Sequence, residues 1–98
     1  MNYEEKLAAI KLLNSSASVK MRSPGDWYLS HSLRILTSSD TYKCPTTSSR
    51  GPQEAIEEAW DQLTDGLEDG EVVHVKIKSE WVAIEWADGK WVEPSNLF

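Results

Sequence analysis

The side chains best suited to nucleophilic or metal chemistry in this chain, His31, Cys44 and His74, are scattered singly. No Cys-x-x-Cys, His-Glu-x-x-His or Gly-x-Ser-x-Gly spacing brings a base to a nucleophile or several ligands to one metal. The expectation is therefore a protein that is not an enzyme and uses no metal or cofactor. A different chemistry is written in the carboxylates. Glu54, Glu58, Asp61 and Asp65 recur at steps of four, three and four, which is the spacing of one helix face, and Glu57, Glu68, Asp69 and Glu71 extend the patch. Successive turns of a helix lie about 5.4 Å apart, so this row of negative charge is spaced loosely like backbone phosphates. Such a face can occupy the basic groove of a nucleic-acid-binding protein. Its plainer use is a solvated face that keeps the chain soluble. Like charges at this spacing repel by a few tenths of a kcal/mol per pair, roughly, a cost that hints at use.

Two further groups are candidates. Trp81 falls on a polar face beside Lys78 and Lys76, where a large aromatic side chain suits an interface anchor; the plainer alternatives are a cation–π contact with Lys78 or cover from the N-terminal helix. Tyr42, Lys43 and Arg50 lie in a hydroxyl-rich segment just before a helix start, where unpaired N–H groups favour an anion. They are the candidate residues for the alternative, a small nucleotide-like ligand. Only Gly51 is present there, and no phosphate-loop or dinucleotide fingerprint occurs.

The elements that must position these residues follow from periodicity. Asn2 with Glu5 forms a capping-box pattern, and Tyr3, Leu7, Ile10 and Leu13 mark a helix over about residues 3–14. Residues 14–25, Ser-rich and closing with Pro24-Gly25, read as a linker. From Asp26 to Leu36, Trp27, Leu29, Leu33 and Ile35 alternate with polar residues as in one half-buried strand, with His31 on its apolar side. Residues 37–51 read as a long polar loop, either functional or disordered. Pro52 suits the first position of a second helix, Ala55, Ile56, Ala59, Trp60 and Leu63 form its apolar stripe, and Gly66 ends it.

Glu71–Lys78, Trp81–Ala87 and Lys90–Val92 read as a meander whose second turn is Asp88-Gly89. A first turn at Ser79-Glu80 would set Val73 opposite Trp86, Val75 opposite Ile84, Ile77 opposite Val82 and His74 opposite Glu85, with Trp86 facing Trp91. Trp27, Trp60, Trp86 and Trp91 then belong to the core. The expected fold is a single α+β domain over residues 1–98, in the order α-β-α-β-β-β. It has a mostly antiparallel sheet of three to four strands, a covering helix and an N-terminal helix. The pairing of the first strand is left open.

Bulk properties bound the partners. Ninety-eight residues suffice for one core, the one cysteine cannot close an internal disulfide, and no run of apolar residues reaches membrane length. Together with the absence of a secretion-signal layout, this points to the cytoplasm. Net charge is −6 and unevenly divided: residues 1–50 carry seven basic and four acidic side chains, residues 51–98 three and twelve. That disfavours direct attachment to nucleic acid and favours a basic partner.

The stretch from Gly51 through Thr64, followed by the hairpin ending Trp86-Ala87-Asp88-Gly89-Lys90-Trp91, resembles small accessory proteins of bacteriophages and prophages. The resemblance covers about half of the chain, carries no functional residue, and implies a setting in the bacterial cytoplasm during infection. It also implies an activity common among such proteins, inhibition of host defence nucleases such as a CRISPR effector. The leading expectation is an inhibitor that covers a basic surface of a nucleic-acid-handling complex with Glu54, Glu57, Glu58, Asp61 and Asp65, and with Trp81 as an anchor. The alternatives are the nucleotide-sequestering protein, with its site at an oligomer interface such as that of a homodimer, and a virion structural or assembly component.

Overall fold

The computed structural model describes residues 2–77 and 79–92. Its order is α1 (Tyr3–Leu13), β1 (Ser18–Ser23), β2 (Asp26–Ser30), β3 (Ile35–Leu36), β4 (Tyr42–Lys43), α2 (Pro52–Thr64), β5 (Glu71–Ile77), β6 (Glu80–Ala87) and β7 (Lys90–Val92). The fold is α+β. A five-stranded antiparallel sheet runs β4-β3-β5-β6-β7, and β1 and β2 form a separate hairpin.

Both helices form for the reasons their sequences state. Asn2 Oδ1 accepts the Glu5 amide at 2.9 Å, which satisfies one free donor of the first turn of α1. Ile10 and Leu13 of this helix are buried. In α2, Pro52 occupies the first turn and Ala55, Ile56, Ala59, Trp60 and Leu63 are all buried. Gly66, at φ 75°, turns the chain out of the helix in a conformation that favours glycine. The two helices and the inward sheet residues Ile35, Val73, Val75 and Trp91 share one core. Trp86 sits between Trp60 and Trp91, its ring centroid 5.6 Å from the first and 4.7 Å from the second, both tilted. Tilted pairs at such separations are favourable arrangements of aromatic quadrupoles. Trp60 and Trp91 are buried, whereas Trp27 and Trp86 are half-buried.

Four features depart from the expectation. The sheet has five strands, because the segment read as a long loop contributes β4 and pairs it with β3. The segment read as a linker contains β1, whose turn Pro24-Gly25 joins it to β2. Four of its six residues are exposed, so burial leaves little hydrophobic alternation to read. The single strand expected over 26–36 is divided, since β2 pairs with β1 and β3 pairs with β4 and β5. His31 fastens the break: its Nε2 meets the Pro45 carbonyl at 2.6 Å and its Nδ1 accepts the Leu33 amide at 2.9 Å.

Finally, β5 and β6 pair two residues away from the expected register: Val73 opposes Ile84, Val75 opposes Val82, Ile77 opposes Glu80 and His74 opposes Ala83. Glu80 therefore belongs to the strand, and Lys78 lies outside the described residues. A shift of two preserves the face of every side chain, so the inward apolar set is unchanged. The Asp88-Gly89 turn is as expected, with φ of 53° and 74° and with Trp86 opposite Trp91.

Core and surface leucines should respond very differently to truncation. Leu63 has no exposed surface and Leu12 is 73% exposed. Urea unfolding should show Leu63→Ala costing about 2–5 kcal/mol and Leu12→Ala about 0.5 kcal/mol or less. Equal losses would mean that the core is placed incorrectly.

Candidate functional site

Burial of the α2 stripe against the core turns the remaining positions of that helix to solvent. Glu54, Glu57, Glu58 and Asp61 are exposed. Asp65 continues the row as the C-terminal cap, exposed as well, with its amide donating to the Asp61 carbonyl at 2.9 Å. Among the described residues none of these five carboxylates joins an ion pair; the pair found is Arg22 with Asp26, at 3.5 Å. No ridge carboxylate is thus ion-paired with a described cation, although the Lys43 ammonium stands on the backbone carbonyl of Asp65 at the C-terminal end of the row. Its extension is less free. Asp69 Oδ1 accepts the Asp88 amide at 2.7 Å, and Glu71 accepts amides from Ser38 at 3.4 Å and Glu68 at 3.3 Å. Those two side chains brace the turns around β5.

Trp81 lies elsewhere. It is 43% exposed on β6, on the face of the sheet opposite the inward residues Val73 and Val75, and so away from α2. The Lys76 ammonium stands 5.2 Å from its ring centroid, directly across the strand pair. The acidic ridge and Trp81 form two surfaces on different sides of the molecule.

The hydroxyl-rich segment is ordered by hydrogen bonds to β2 and α2. Thr47 Oγ1 accepts the buried Leu29 amide at 2.9 Å, and Ser49 exchanges two backbone bonds with Trp27, at 2.7 and 2.8 Å. Gln62 of α2 binds Thr46 as a neighbouring strand would, its Oε1 accepting the amide at 2.9 Å and its Nε2 donating to the carbonyl at 2.8 Å. Lys43 Nζ donates to the carbonyls of Leu63 and Asp65. Helix α2 has no basic residue in its last turn, so Lys43 supplies from a distant segment the cation that its C-terminus lacks. Arg50, by contrast, precedes the Gly51 cap at the other end of α2, and Tyr42 is 53% exposed on β4. The candidate ligand residues Lys43 and Arg50 are thus held a helix length apart, about 20 Å at 1.5 Å per residue. Gln62 and the capping role of Lys43 leave no trace in periodicity, because both depend on which loop folds across α2.

Among the described residues no group of three or more His, Cys, Asp or Glu side chains is arranged to hold a metal ion, and no helix is long and apolar enough to cross a membrane. No family model, curated protein or solved structure matches the chain.

Two measurements test this geometry. Glu58 is four residues from Glu54 and three from Asp61, so Glu58→Lys replaces two repulsions with two attractions. It should raise stability by about 0.5–1 kcal/mol at low salt, with the gain shrinking as ionic strength rises; a loss would show that Glu58 is compensated. Removing the Gln62 clamp with Gln62→Ala should speed hydrogen exchange at the Thr46 amide by about tenfold while leaving the Val75 amide protected. Unchanged exchange at Thr46 would mean that the loop does not depend on α2.

Proposed function

We propose that this protein is a non-enzymatic binding protein whose α2 ridge covers a basic, nucleic-acid-contacting surface of another protein complex. The setting proposed with it is the one the sequence resemblance implies, a phage-type inhibitor acting on a host nucleic-acid-handling complex such as a CRISPR effector. The observation that carries this reading is the row Glu54, Glu58, Asp61 and Asp65, exposed and without ion-pair partners among the described residues. A rigid row of carboxylates one turn apart meets a groove built for phosphates without the entropy cost of ordering a flexible acidic tail. Glu57 widens the row by one position on the same helix.

The test is affinity capture from bacterial lysate with the wild-type chain and a variant in which Glu54, Glu58, Asp61 and Asp65 are all replaced by Lys. The wild type should retain a nucleic-acid-handling complex that the variant, shown folded by circular dichroism, does not. Retention should fall as the screening length drops from about 10 Å at 0.1 M salt to about 3 Å at 1 M. Equal recovery by both chains would end the proposal.

A further inference from the structure

Antiparallel pairing places three side chains in line across the outward face of the sheet. Ile35 opposes Val75 and the Lys76 amide donates to the Arg34 carbonyl at 2.9 Å, so Arg34 neighbours Lys76, and Lys76 opposes Trp81. The two cations of this row open onto a cleft of about 520 Å³, which reaches to the last turn of α1 and the residues after it. That volume lies within the range of about 300–1,000 Å³ common for small-ligand sites. In a chain of net charge −6, the described residues that line the cleft include Arg34 and Lys76 and no carboxylate.

Its polar wall is organised in advance. Asn14 Nδ2 donates to Ser32 Oγ at 2.9 Å, which leaves the Ser32 hydroxyl hydrogen free to donate, and Ser16 Oγ donates to Asn14 Oδ1 at 3.2 Å. Neither Arg34 nor Lys76 joins an ion pair among the described residues, and Lys76 is held against the Trp81 ring. The C-terminal turn of α1 brings about half a negative charge to the rim, and two full cations outweigh it. Hydroxyl donors beside a planar guanidinium and an ammonium form a site for a tetrahedral oxyanion.

We infer that this cleft binds the phosphoryl group of a small molecule, with Arg34 and Lys76 neutralising the charge and Ser32 donating a hydrogen bond. This site is separate from the acidic ridge: none of the residues lining the cleft belongs to α2. It also differs from the anion site expected in the hydroxyl-rich segment at Lys43 and Arg50.

The experiment is an amide-resolved NMR titration of the full chain with inorganic phosphate, adenosine 5′-monophosphate and adenosine. Phosphate and the nucleotide should produce saturable shifts at Asn14, Ser16, Ser32 and Arg34, with dissociation constants of about 1 mM or tighter, and adenosine should not. Arg34→Gln and Lys76→Gln should each weaken binding about tenfold or more. Arg34 is exposed, so its replacement leaves the core intact. Tighter binding of the nucleotide than of phosphate would identify a nucleotide as the better source of the phosphoryl group, and equal binding would assign recognition to that group alone; both support the site. Silence at about 10 mM of both phosphates, adenosine binding as well as its monophosphate, or unaltered affinity in both variants would overturn it.

Discussion

The packing of one apolar stripe on α2 against the tryptophan-lined sheet governs where the rest of the chain's charge can go. Ala55, Ile56, Ala59, Trp60 and Leu63 are buried together, with Trp60 against Trp86. Burying the three large members of the stripe is worth about 1.5–3 kcal/mol each. Repulsion within the acidic row costs a few tenths of a kcal/mol per pair, roughly. Burial wins by nearly an order of magnitude, so α2 can carry its carboxylates outward without losing its place. The ridge is thus a consequence of core packing, and its rigidity is that of the core.

The same helix explains why the hydroxyl-rich segment is structured. A helix ending in exposed acidic residues, with no basic residue in its last turn, leaves its terminal carbonyls in need of a cation, and Lys43 provides it. Gln62, at the border of the buried stripe, holds the backbone of Thr46, while Thr47 and Ser49 complete bonds for Leu29 and Trp27. The Thr47 hydroxyl suits its position because it satisfies a buried amide without apolar bulk, whereas Ser49 makes its two bonds through its backbone. A composition typical of flexible loops here serves to stitch α2 to β2.

Much of the fold was legible because its signals are local. Asn2 marks a helix start by its capping side chain, Pro52 and Gly66 mark helix ends by backbone geometry, Asp88-Gly89 marks a turn by its tolerance of positive φ, and the α2 stripe repeats at the helical period. What was illegible depends on pairing. The alternation of Trp27, Leu29, Leu33 and Ile35 continues through the break at His31, so nothing in it reveals two strands. The β5–β6 register slipped by two because hydrophobic patterning has a period of two and cannot separate registers that differ by one period. For the candidate site, the carboxylate row was readable from spacing alone, whereas the contact between Trp81 and Lys76 and the alignment of Arg34 with Lys76 appear only once the strands are paired.

Charge is therefore displayed on two sides of one small body. Helix α2 covers the inward face of the sheet and points its carboxylates away from it, while Arg34 and Lys76 occupy the outward face. The two shorter dimensions of the molecule are 29 and 21 Å, against a screening length of about 8 Å at physiological ionic strength. At that ratio, a charge on one face is felt only weakly at the other. A cationic surface approaching α2 and an anion entering the cleft would each meet a local field set by its own side, although the net charge of −6 favours only the first. Lys43, withdrawn to the end of α2, strengthens this division by removing a cation from the hydroxyl-rich segment and leaving the row from Glu54 to Asp61 unneutralised.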